Sequence, residues 1–201
     1  MNSDSKITAV EAYSDAFRDL INDRVGWEGV PAQKLRLNSE SDWKFVCVAM
    51  DILGDASLAI HNFLRFGLDG PTKYDDTGEK YLRLYGLLSS AYIQQQAVLK
   101  LHKLMNCINQ KELKIQADKL LIRTLRHQLA SHSLDYFDFA DKATTAFVPV
   151  RIDLRGFNCT VTENRGDSSL SYDLKQVLIE HCDFMLEVLD AIYMKSYKTL
   201  F

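Results

Sequence analysis

Apolar residues recur every three to four positions through most of this 201-residue chain, which is the period of helices that bury one face. Val10, Tyr13, Phe17, Leu20 and Ile21 predict a helix over residues 8–24, broken by "GWEGVP" at 26–31. Ser39 followed by Asp42 is a capping-box start. Phe45, Ala49, Ile52, Ala56, Ala59 and Phe63 then carry a second helix to about Gly67. Residues 67–80 are dense in Gly, Pro and Asp and read as a loop. A third helix spans about 79–106, with Leu84, Leu88, Ala91, Val98 and Met105 in its seam, and a fourth spans 110–132. A fifth covers about 170–198 through Leu174, Val177, Leu178, His181, Met185, Val188 and Ile192.

Between the last two helices the period drops to two. Val148, Val150 and Ile152 alternate, then Phe157, Cys159 and Val161, with "LRG" between them, which predicts a β-hairpin within 146–163. The expected fold class is mainly α, an up-and-down four-helix bundle with an additional N-terminal helix and a β-hairpin before the last helix. Residues 1–38 form the N-terminal helix and linker, and 39–201 form the helical domain.

Composition narrows the picture without naming a function. Apolar residues make up 47 % and charged residues 25 %, with a net charge of −3. That is globular, with no charge excess that demands a polyanion. Cys47, Cys107, Cys159 and Cys182 show no metal-ligand spacing and read as free thiols in a reducing compartment. No run of 18 apolar residues occurs and the N-terminus lacks a signal-peptide pattern, so a cytoplasmic protein without membrane contact is expected.

Polar residues on apolar faces are candidate chemistry. Gln95 and His102 fall in the seam of the third helix and His181 in that of the last; each reads first as a core group with a hydrogen-bond partner. The densest cluster is "RTLRHQLASH" at 123–132, which holds two of the five histidines. On an ideal helix Lys119, Arg123, Arg126 and Ala130 share one face, and Leu121, Leu125 and Leu129 form the core stripe. His132 falls within that stripe, about 120° from Arg126. The two meet on one substrate only if the helix ends or bends after Leu129, or if a second subunit completes the site. From Lys100 to Arg126 seven Lys or Arg stand against Glu112 and Asp118, a basic stretch leading to the histidines. A metal set of His127, His132, Asp135 and Asp138 is the weaker reading, since 127 and 132 are badly spaced for two ligands on one helical face.

Arg126 and His127, then Gln128–Ser131, then His132, resemble the R-(polar)-x(3–5)-H signature of HEPN domains. Residues 81–101, "YLRLYGLLSSAYIQQQAVLKL", are similar to the preceding helix in a HEPN subgroup linked to bacterial defence, and the hairpin suits that subgroup. Leu134 stands where some members carry a tyrosine. The resemblance implies a metal-independent endoribonuclease that needs no cofactor and acts as a homodimer, in bacterial defence or a toxin system with a protein antitoxin. Arg126, His127 and His132 would be catalytic, with Lys119 and Arg123 guiding RNA. The alternative is a non-catalytic HEPN module that binds RNA, a nucleotide or a protein partner. The chemistry suits the residue types. Histidine ordinarily titrates near about 6.5 and moves protons at neutral pH. Arginine offers a permanently charged fork for phosphate.

Overall fold

Four long helices enclose one hydrophobic core in the computed structural model, which describes residues 3–27, 29–72, 74–138, 142–164 and 166–200. They are α1 (Ser3–Val25), α3 (Glu40–Phe66), α4 (Thr77–Leu104) and α7 (Leu174–Leu200). The short α2 (Pro31–Lys34) lies between the first two. Asp42 accepts the Ser39 backbone N–H at 3.2 Å, the reciprocal half of the expected capping box. Asp76 caps α4 by accepting from the backbone N–H groups of Gly78 and Glu79.

Cross-helix pairs give the directions. Arg18–Asp51 and Glu11–His61 make α1 and α3 antiparallel. Arg83 donates to the Asn62 carbonyl and Gln94 to Ser57, so α4 is antiparallel to α3. Lys6–Asp183 and Tyr13–Asp190 run in the same sense, so α7 is parallel to α1. It is also parallel to α4, where Gln95 meets His181 and, further along both helices, His102 shares a cavity wall with Val188. With the segment over 110–132 running back along α4, from Lys111 beside Lys103 to Arg126 on Tyr92, successive helices alternate in direction along the chain, as the up-and-down expectation has it. The first helix, which the sequence pattern sets apart from residues 39–201, shares their core through Ile7, Val10, Phe17 and Ile21.

The expected continuous helix over 110–132 is replaced by three pieces: α5 (Gln110–Lys119), α6 (Leu121–Arg126) and a π-helical turn (His127–Ser131). They run back along α4, and this return lets α7 set off parallel to it. The break is at Leu120, whose backbone is extended (φ −61°, ψ 131°). Only Ala117 of α5 is buried, whereas Ile122, Arg123 and Leu125 of α6 all are. The bend turns the apolar side of α6 into the core while leaving α5 wet.

The strand content also exceeds the single expected hairpin. β1 (Tyr136–Asp138) pairs with β2 (Ala143–Thr145), and a three-stranded sheet has the order β3 (Phe147–Pro149), β4 (Asn158–Glu163), β5 (Ser168–Asp173). All pairings are antiparallel; Phe147 faces Glu163, and Asn158 faces Asp173. α7 thus begins at Leu174, with Asp173 accepting the Lys175 backbone N–H at 2.9 Å. The sheet is fastened to the end of α3. Gly67 (φ 62°, ψ −155°) adopts a backbone region essentially confined to glycine, the Leu68 N–H donates to the Gly156 carbonyl, and Phe63 meets Phe157 edge to face.

A buried polar network ties α3, α4 and α7 together at mid-height. His181 donates from Nε2 to Gln94 Oε1 at 2.8 Å, and its Nδ1 accepts from Gln95 Nε2 at 3.2 Å. Gln94 also donates to Ser57 Oγ at 3.0 Å. Burial alone drives the His181 pKa down to about 4, so the imidazole is neutral and acts as one donor and one acceptor. His181 and Gln95 are core groups, as their seam positions suggest. All four cysteines are free thiols, and among the described residues no helix is long and apolar enough to cross a membrane.

Candidate functional site

The π-helical turn decides the geometry around "RTLRHQLASH". In an α-helix residues five apart lie about 140° apart around the axis. Here the His132 N–H bonds to the His127 carbonyl at 2.8 Å, an i→i+5 link that widens the turn. The two imidazoles consequently face the same side, with ring centroids 6.1 Å apart and planes inclined by 30°. Leu129 is buried between them in sequence and pins the turn to the core. His132, expected within the apolar stripe, is instead exposed, because the looser turn rotates it out of the line set by Leu125 and Leu129.

Tyr92 of α4 is the platform on which the arginines rest. The Arg126 guanidinium lies 4.1 Å from its ring centroid and that of Arg123 5.1 Å, both cation–π contacts. The His127 ring meets Tyr92 edge to face at 6.1 Å. One chain of contacts thus runs from the arginines through Tyr92 and His127 to His132. Arg123, expected as an exposed guide for RNA, is buried. Its Nη2 pairs with Asp118 Oδ1 at 3.0 Å. Arg123 Nη1 and Arg126 Nε are buried with no hydrogen-bond partner among the described residues.

Two clefts meet at Arg123. The first, of about 670 Å³, is walled by Asp118, Arg123, His127, His132, Asp135, Tyr136 and Phe137. The second, of about 650 Å³, runs between α4 and α5, and its walls include Tyr92, Lys100, Lys103, Lys111, Lys114 and Arg123. The basic stretch read from the sequence is therefore a real groove, and it opens beside the histidines. Lys119 lies at the exposed end of α5 and lines neither cleft; nor does Arg126, which is half-buried against Tyr92.

The two histidines have different surroundings. His127 is held below its ordinary pKa, chiefly by burial and then by the positive charges of Arg126 and Arg123, with Asp118 partly opposing them. It is therefore neutral at pH 7 and can accept a proton. His132 turns Nδ1 toward Asp135 Oδ1 at 3.4 Å, which leaves Nε2 for proton exchange with a substrate. Among the described residues no three His, Cys, Asp or Glu side chains gather as metal ligands; the Asp138 side chain lies outside the description. Tyr92, Asp118, Tyr136 and Phe137 were not singled out by the sequence pattern. Tyr92 and Asp118 come from other helices, and Tyr136 and Phe137 from a strand too short to show a period. Comparison with protein-family models, with curated proteins and with solved structures yields no match for this chain.

Proposed function

We propose that the histidine cleft is the active site of a metal-independent endoribonuclease of the HEPN type. One observation carries the reading: the π-helical turn sets two imidazoles 6.1 Å apart, in unlike environments, where a lysine-lined groove ends. RNA brings its own nucleophile, the 2′-OH. Neutral His127 takes the 2′-OH proton, and the 2′-oxygen attacks the adjacent phosphorus. The P–O5′ bond breaks as protonated His132 delivers a proton to O5′. The products are a 2′,3′-cyclic phosphate and a 5′-hydroxyl. Arg123, with Arg126 behind it on Tyr92, supplies positive charge for the phosphate, and the lysine groove draws in the strand. Lys119, outside both clefts, adds to the field at the groove's end. A homodimer with facing clefts would shelter His132, whose side chain is 55 % exposed in the single chain. The family resemblance adds a role in bacterial defence or a toxin system, with an antitoxin as protein partner.

The test is incubation of the purified protein with labelled single-stranded RNA in EDTA. Fragments ending in 2′,3′-cyclic phosphate are expected, with a rate that falls as pH is lowered through the depressed pKa of His127. His132→Ala and His127→Ala should each slow cleavage by about 100-fold or more, the usual contribution of a general acid or base, without changing the circular dichroism. RNA bound by the wild type but never cut would replace this reading with that of a binding module.

A further inference from the structure

The junction of the two clefts holds an ion pair with unequal partners. The Arg123 side chain is 9 % exposed, whereas that of Asp118 is 47 % exposed. The arginine is thus fixed in the wall, and the carboxylate stands at the mouth, where water can receive it. Asp118 occupies the last turn of α5, where the helix macrodipole disfavours negative charge, so its own helix gives it no reason to be there. It belongs instead to Arg123, across the extended Leu120 link that separates α5 from α6. The carboxylate serves Nη2 and leaves Nη1 without an acceptor among the described residues.

We infer that Asp118 is a resident anion on a phosphate-group site centred on Arg123, and that an incoming phosphate must displace it. The inference rests on the cleft being a phosphate site, as proposed above, and adds what controls entry to it. A tetrahedral phosphate presents several oxygens to the guanidinium fork and supplies the second acceptor that the carboxylate does not. The desolvated guanidinium needs an anion in every state, so the exchange swaps one partner for another and never strands a buried charge. Because Arg123 lines both clefts, the exchange takes place on the path between the lysine groove and the histidines. Weakly held anions are turned away by the resident carboxylate, while a strand already gripped by Lys103, Lys111 and Lys114 carries the local concentration to displace it.

The experiment is calorimetric titration of the full chain with inorganic tripolyphosphate and, in parallel, with a phosphodiester-linked dinucleotide, which separates a site for free polyphosphate from one for a nucleic-acid backbone. Asp118→Asn should tighten binding of at least one probe by about two- to five-fold, the scale of a half-exposed ion-pair competitor. Arg123→Gln should abolish that binding. The NMR titration midpoint of His127, which faces Arg123, Arg126, His132 and Asp118, should move further down in Asp118→Asn. Equal or weaker binding by Asp118→Asn overturns the inference, as does binding that survives Arg123→Gln or the absence of binding by every variant. RNA cleavage assayed separately keeps the two readings apart: a cleaving enzyme whose Asp118→Asn form binds no tighter loses the resident anion but keeps its function.

Discussion

Replacing His181 with leucine should produce a stability penalty that disappears with acid. At pH 7 the substitution strands Gln94 Oε1 and Gln95 Nε2 in the core, since the imidazole bonds one at 2.8 Å and the other at 3.2 Å. Unpaired buried groups cost about 1–3 kcal/mol each, so a loss of about 3 kcal/mol is expected. The wild type has its own weakness. The unfolded chain binds a proton on this histidine at its ordinary pKa of 6.5, and the folded chain does so only at about 4. Between those values the unfolded state holds more protons, so wild-type stability falls as pH falls. At about 1.4 kcal/mol per unit, lowering the pH to about 4.5 removes about 3 kcal/mol that the variant never had to lose. Urea unfolding of both proteins from about pH 7.5 to 4.5 measures the gap. Carboxylates and the other histidines titrate in both proteins and cancel in the difference. A gap that stays constant over this range would refute the neutral-core assignment. Should the variant fail to fold, wild-type NMR serves as well: the His181 ring should show no titration above about pH 5.

Two further perturbations test the frame and the groove. Gly67→Ala should destabilise the protein by about 2 kcal/mol or more, because its φ of 62° is a glycine conformation and a Cβ would come within 2.5 Å of the Gly156 carbonyl oxygen; chemical denaturation measures it, and a neutral result would mean that α3 and the sheet are not joined there. Lys103→Ala and Lys111→Ala should each lower the slope of log affinity for single-stranded RNA against log salt by about 0.7; anisotropy titrations at several salt concentrations read this, and unchanged slopes would place the strand elsewhere.

The candidate site was legible in its ingredients and not in its arrangement. The clustered arginines and histidines and the lysines from Lys100 to Lys114 stand out in the sequence. The ideal helical wheel then assigns the wrong directions, because it assumes 100° per residue through a segment that breaks at Leu120 and widens into a π turn at His127. No Pro or Gly marks either departure. In α3 the expected stripe holds at Ala49, Ala56 and Phe63 but not at Phe45, exposed beneath Lys100, or at exposed Ala59, while Val46, Met50 and Leu53 join the core, since apolar residues adjoin one another there and leave the edges of the stripe ambiguous. β5, "SSLSYD", is a mostly exposed edge strand with no buried alternation to betray it.

What the sequence determined by itself is the helical character, an N-terminal helix within α1, the long α3, α4 and α7, the capping box of α3, the seams of α4 and α7, and the position of the β4 strand. Each of these rests on local period or local capping, which short stretches of chain specify. Tertiary structure alone decided the break at Leu120, the turn that aligns His127 with His132, and the seating of both arginines on Tyr92. These depend on residues distant in sequence competing for one core, where burying Ile122, Leu125 and Leu129 outweighs keeping a regular helix.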